Sequence, residues 1–323
     1  MVRFIVAALA ALAVTLAAPG IAQNYPSKPI RLIVPFPPGG GTDSVSRLVA
    51  QELQKSTGWT IVVENKAGAG GMIGLQEAAR ARPDGYDIVM AQVDNMVIAP
   101  AVQRTGTMDP VKDLTPVIQV ASSPFLFMSS VDSKYKTLND WVSEAKAKPN
   151  TVTYGTAGYG TFTHLAVELL QKAGNFTAVQ VPYKGAAPAM IDIVSGQIHL
   201  MFASTVSSAP YIKNGTLRVI AVTGARRSPV FPDVPTISES GVPGFEWHNT
   251  YSLFAPAGTA RAIIRAINLV VKQGINTPET MKYLAADGAA AAAPATPEEF
   301  KAKFAKDYDT MEKLVKATNL RIN

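Results

Sequence analysis

The sequence predicts an α/β fold arranged as two lobes, and three observations predict it. Strand-like and helix-like segments alternate almost throughout, the pattern of strands joined by crossing helices. A strand, a glycine-rich loop and a helix start follow one another near residues 30–42, and the same succession recurs near 152–166. The apolar run 251–255 reads as a strand that returns to the first lobe. The chain then crosses twice between lobes, and two crossings make a hinge.

Taken in order, Ile30, Leu32, Ile33 and Val34 form a short buried strand bounded by prolines. Gly39, Gly40 and Gly41 follow, and Thr42 or Asp43 is expected to cap a helix carrying Val45, Leu48, Val49 and Leu53 on one face. Residues 60–64 are the second strand, 65–72 another glycine loop, and the helix after it stops at Pro83-Asp84-Gly85. Residues 86–91 form a strand, with 92–95 as its loop. Two strands, 117–120 and 125–128, flank Ser122-Ser123-Pro124, where the first crossing is placed. Thr137 and Asp140 have capping-box spacing before a helix holding Trp141, Val142 and Ala145. After the second glycine unit come a helix through Leu170, a strand and loop at 179–185, and a helix over 187–194. Strands at 198–202 and 217–223 follow, then an irregular proline-rich stretch over 228–244. The tail is helical at 263–273, at 279–286, and again behind a capping box from Thr296 to Glu299, with the alanines 289–293 as a short connector.

Bulk properties narrow the function. The chain has 323 residues, 47% hydrophobic and 17% charged, enough for a large core and for two domains. Its net charge of +6 is spread out, and the longest basic cluster is Arg226-Arg227, so a nucleic-acid surface is not expected. There are no cysteines, which excludes disulfides, thiol nucleophiles and a cysteine-linked lipid. Arg3, the apolar run 4–18, and Gly20 and Ala22 read as a secretory leader cleaved after Ala22, in preference to a membrane anchor. Export to a periplasm-like compartment follows if the source is Gram-negative. The expected division is a leader at 1–22, lobe one at 23–123 and 250–323, and lobe two at 124–249.

The two glycine units carry the chemistry. Each aims free backbone N–H groups and the positive end of a helix dipole at whatever lies above it, which favours an anion. Thr42 and Thr161 place hydroxyls beside those amides, and His164 stands in the first turn of the second helix. Asp43 suits a cap better than an anion contact, because a carboxylate repels an anion. Open α/β sheets bind ligands at the carboxyl ends of their strands. That rule adds Gly185, Ser204 and Thr205 to the candidate set, and Gln92 and Asn95 of the 92–95 loop and Tyr251 at the start of the 251–255 strand complete it. Lys184 is equally a counter-charge or a solvated loop lysine. Nucleotide sites fare poorly: the glycine spacings miss G-x-G-x-x-G and no G-K-[ST] occurs. The three histidines lack metal-pair spacing and no G-x-S-x-G elbow is present, so no catalytic, metal or cofactor site is expected. His199 reads as a core group within a strand. A hydrolase built from His164 and serines remains as a remote alternative.

Residues 25–43, with the run Pro38-Gly-Gly-Gly-Thr-Asp43, resemble the opening signature of the TctC (Bug) solute-binding proteins. Val63-Glu-Asn-Lys-Ala-Gly-Ala-Gly-Gly71, Pro83-Asp-Gly-Tyr86, Val181-Pro-Tyr-Lys-Gly185 and Leu253-Phe-Ala-Pro-Ala-Gly-Thr259 are similar to later family blocks in the same order. The resemblance implies a periplasmic receptor of a tripartite tricarboxylate transporter, with a large and a small membrane subunit as partners; separately, a monomer is expected. It implies a type II periplasmic-binding-protein fold, each lobe a mostly parallel sheet flanked by helices. It implies that a small carboxylate is held by Pro38, Gly39, Gly40, Gly41 and Thr42 together with Thr156, Ala157, Gly158, Gly160 and Thr161. A ligand-dependent sensory subunit for a membrane histidine kinase would share that site. Two departures bear on ligand choice. Ala203-Ser204 stands where many members have Asp after the strand's Phe, and Thr250 where many have Trp. Loss of that acid argues against an amino-acid ligand, and the expectation is a dicarboxylate or an aromatic carboxylate.

Overall fold

The computed structural model describes residues 25–100 and 108–318. The expected leader and its cleavage point lie outside the described residues. β1 (Ile30–Val34) leads into α1 (Gly41–Thr57), β2 (Ile61–Asn65), α2 (Met72–Arg80) and β3 (Asp87–Ala91). A single wide helical turn, Asp94–Ile98, closes that strand. β4 (Leu114–Ser130), α3 (Leu138–Ala147), β5 (Thr153–Thr156), α4 (Phe162–Gly174), β6 (Val179–Pro182) and α5 (Ala186–Val194) follow. Next come β7 (Leu200–Ser204), α6 (Thr205–Lys213), β8 (Leu217–Val222) and β9 (His248–Pro256). The chain finishes with α7 (Arg261–Ile275), α8 (Pro278–Ala286), β10 (Ala290–Ala291) and α9 (Pro297–Thr318).

The strands form a mixed sheet in the order β2-β1-β3-β9-β4-β7-β5-β6, with β8 and β10 pairing to β4 off that path. Two parallel triplets, β2-β1-β3 and β7-β5-β6, lie at its ends. The long strands β4 and β9 join them, antiparallel to each other from Leu114 to Pro124. From Phe125 onward β4 pairs instead with β7 and β8. One strand thus serves both halves of the sheet. The β1 side chains are buried on both faces except at Arg31, as befits a parallel strand covered by helices. Ile30 and Leu32 pack with Val45, Val49 and Leu53 of α1 and with Ile263, Ile264 and Ile267 of α7. In the other half Trp141, Phe127 and Phe202 are fully buried around edge and tilted ring contacts.

Several local expectations need correction. Gly40, not Thr42 or Asp43, is the N-cap of α1, and no side chain caps it. Residues 117–120 and 125–128 are parts of one continuous strand, because pairing continues through Ser122-Ser123-Pro124 with β9 as partner. Gln92 and Asn95 belong to a helical turn and its approach, with Met96 N–H already bonded to the Gln92 carbonyl. His199 precedes β7; its Nδ1 accepts the Thr153 N–H at 2.9 Å. Thr205 opens a helix, α6, which the Ser-Ala-Pro composition concealed and in which Pro210 sits. Both capping boxes form as expected. Thr137 accepts from the Asp140 N–H while Asp140 reaches back to the Thr137 N–H; Thr296 and Glu299 exchange the same pair of bonds. Thr137→Ala removes one such bond and should cost about 1 kcal/mol, read as a lower urea midpoint with unchanged slope.

Candidate functional site

Because Gly40 has no side chain, the first-turn amides of α1 stay free of a capping group. Asp43 occupies the third helical position and turns backward. Its Oδ2 accepts the Gly39 N–H at 3.0 Å, and its Oδ1 accepts from Asn65 Nδ2 at 3.0 Å. Burial opposes its charge, but the Arg47 guanidinium, the Gly39 amide and Asn65 outweigh burial and hold the carboxyl below its usual range. Asp43 is therefore committed to shaping the loop. The Thr42 hydroxyl accepts from Gln92 Nε2 at 2.5 Å, which leaves its proton available to a neighbour. The Gln92 N–H is held by Asn95 Oδ1 at 2.9 Å.

The second glycine unit is more self-contained. Its Ala157 N–H goes to Thr163 Oγ1 at 3.0 Å, and Thr161 Oγ1 donates to the Gly158 carbonyl at 2.7 Å. The Gly160 N–H points to His164 Nδ1 at 3.4 Å. Burial lowers the His164 pKa against the opposing pull of Glu168, whose carboxylate lies 3.9 Å from Nε2. The imidazole is thus kept neutral, with Nδ1 as acceptor. Phe162, first residue of α4, is clamped between Phe125 of β4 at 4.5 Å and Trp247 at 4.7 Å between ring centroids.

A cavity of about 40 Å³ lies between the two halves. Of the candidates, Gly40, Gly41, Thr42, Gln92, Ala157, Ala203 and Ser204 line it. Pro38, Gly39, Asp43, Asn95, Thr156, Gly158, Gly160, Thr161, His164, Lys184, Gly185, Thr205 and Tyr251 are not on its wall. Lys184 is exposed. Gly185 closes instead on the opposite half: a Cβ there would stand 2.5 Å from Pro37 Cδ. Tyr251 lies behind Gly41, where a Cβ would meet the Tyr251 hydroxyl at 2.5 Å and Ser204 Oγ at 2.4 Å.

Sequence reasoning missed Asp94, Thr163, Ser207 and Asn249 on the wall, together with Phe36, Pro37, Phe125, Ala186 and Phe202. The missed signal for Asp94 is an acid directly beyond the end of an apolar strand. It is 2% exposed. Burial pushes its carboxyl up to about 7, the Phe162 amide N–H acting in the opposite sense. Since the ordinary value is 3.8, the folded state binds this proton more tightly than the unfolded chain. The stabilising share of this group is therefore full below about pH 4 and is lost as pH rises to about 7. Asp94→Asn should raise the melting temperature at about pH 8 and change it little at about pH 4; equal shifts at both would remove burial as the cause.

Among the described residues no helix is long and apolar enough to cross a membrane, and no cluster of three His, Asp or Glu could hold a metal ion.

Residues 45–320 match the family described as "Tripartite tricarboxylate transporter family receptor". The chain belongs to this family. Periplasmic binding protein BugD has a structure that superposes with a TM-score of 0.87 at 32% identity, covering 92% of this chain and 99% of BugD. An R. palustris protein with adipate gives 0.86 at 31% identity, over 91% and 98%. MatC from Rhodopseudomonas palustris with bound malate gives 0.85 at 29%, over 90% and 100%. This family member accordingly has the periplasmic-binding-protein fold, and two of its structural relatives hold small carboxylates.

Proposed function

We propose that the protein is a periplasmic receptor that binds a small organic carboxylate and delivers it, unchanged, to the membrane subunits of a tripartite tricarboxylate transporter. The observation that carries this reading is the uncapped N-terminus of α1, with Gly40, Gly41 and Thr42, opening into a cavity shared by both halves of the sheet. Helix N-termini of this kind favour anions. In this reading residues 1–22 are removed on export, residues 23–123 and 250–323 form one lobe, and 124–249 form the other.

The size of the cavity argues for a moving receptor. One water needs about 10–15 Å³ of such space, so about 40 Å³ takes a carboxylate group and little more. A whole organic acid enters when the halves part along β4 and β9, and it is then gripped from both sides. The ligand shifts the population toward the closed form by its extra contacts there. The absent acid at Ala203 and the small Thr250 favour a dicarboxylate or an aromatic carboxylate on sequence grounds alone, before the buried Asp94 is taken into account.

A thermal-shift screen of organic acids tests the receptor reading. At least one carboxylate should raise the melting temperature in a concentration-dependent way. No shift with any acid, and no small molecule released from the purified protein, would remove it. Co-purification with the large and small membrane subunits is the expected result for transport, and the ligand should be recovered intact.

A further inference from the structure

The wall of the cavity has a chemical direction. At one side lie the free first-turn amides of α1 and the Thr42 hydroxyl, all donors. Elsewhere on the wall are two acceptors. Asp94 Oδ1 and Asn249 Oδ1 are buried and have no hydrogen-bond donor. Each residue is nearly inaccessible, at 2% and 1% exposure. Buried acceptors without donors are costly, by about 1–3 kcal/mol each and more for a charged one. Lysine, arginine and histidine are all absent from the lining, so the protein supplies no counter-charge for Asp94 there.

We infer that Asp94 and Asn249 form an acceptor subsite of the cavity and select a carboxylate ligand that also carries a protonated nitrogen. This deepens the receptor reading and rests on it. The ligand carboxylate takes the α1 amides, and the ammonium group takes Asp94 Oδ1 and Asn249 Oδ1. An ammonium offers three N–H donors and a positive charge, enough donors for two acceptors and a charge that neutralises the acid. A plain dicarboxylate would set its second carboxylate against an acceptor pair, where like charges repel at low dielectric. Asp94 is also held in place. The Phe162 amide acts on it from the first turn of α4, and Phe162 itself is fixed between Phe125 and Trp247. The carboxylate that Ala203-Ser204 lacks is thus furnished from the other half of the sheet, after β3.

The test measures the purified chain by calorimetry at about pH 8, above the Asp94 value of about 7, so that the acid is ionised, against matched pairs of acids: succinate with aspartate, glutarate with glutamate, adipate with 2-aminoadipate, and 3-phenylpropionate with phenylalanine. At least one amino member should bind about tenfold or more tightly than its partner, a gap of about 1.4 kcal/mol. Asp94→Asn should erase that gap. A nitrogen-free acid that binds as tightly as every amino compound, or a gap that survives Asp94→Asn, overturns the inference and leaves the receptor reading standing. If neither member of any pair binds and no small molecule is released from the purified protein, both fail. Mass spectrometry of the small molecule released from the wild-type protein gives a readout independent of the variant's folding: a nitrogen-bearing acid supports the inference, and a nitrogen-free acid overturns it.

Discussion

Gly41→Val should weaken ligand binding by about 5–150-fold, the range that about 1–3 kcal/mol of overpacking produces, while the protein remains folded. Gly41 is the first residue of α1 and has no positive φ, so a side chain there does not strain its own backbone. The obstruction is Ser204 across the cleft and Tyr251 in the same half of the sheet as Gly41 itself. A Cβ would come within 2.4 Å of Ser204 Oγ and 2.5 Å of the Tyr251 hydroxyl. Serine can turn its hydroxyl away, but the Tyr251 ring is fully buried and cannot swing aside without disturbing the core. Relief comes from moving α1 away from β7 and β9, which opens the cavity and separates the amides from the opposite wall. Calorimetry with the ligand that stabilises the wild type reads the loss, and circular dichroism checks the fold. Wild-type affinity in Gly41→Val would mean that the ligand does not use this contact.

Gly185→Ala should block closure and lower stability together, by separable routes. The residue has φ of +142°, a conformation that costs a side chain about 1–3 kcal/mol in any state of the protein. Its new Cβ would also stand 2.5 Å from Pro37 Cδ and 3.0 Å from Cγ. A proline ring cannot rotate out of the way, so the wedge acts only when the two halves meet. Gly196→Ala is the control: its φ is +78° and nothing lies within 4 Å of the added Cβ. Gly196→Ala should lose stability and keep its affinity, whereas Gly185→Ala should lose both and show no ligand-induced compaction in small-angle scattering. Compaction equal to the wild type in Gly185→Ala would show that this contact does not gate closure.

Much of the secondary structure was legible because its signals are local. The β1 strand is a buried apolar run, α1 follows the spacing of Val45, Val49 and Leu53, and the Thr137 and Thr296 caps need only residues three positions away. Where local signals conflict with a distant partner, the partner prevails. Ser122-Ser123-Pro124 reads as a break, yet β9 supplies pairing on that side and carries β4 through. The α6 helix shows the opposite failure: its serines and Pro210 weaken every helix signal, while burial of Val206 and Ala209 rewards the fold that the local sequence disfavours.

The sequence by itself determined that this is an α/β chain with two glycine loops opening helices, and it carried the family blocks that place it among the transporter receptors. Those are properties of short runs of residues, readable wherever the chain goes. Only the tertiary structure decided which side chains meet in the cavity. Asp94 and Asn249 lie 155 positions apart, and each looks ordinary in its own segment. They share a wall because β4 and β9 hold the two halves of the sheet face to face. The same packing leaves one acidic oxygen buried without a donor, a condition that depends on what surrounds an atom and on nothing written beside it in the chain.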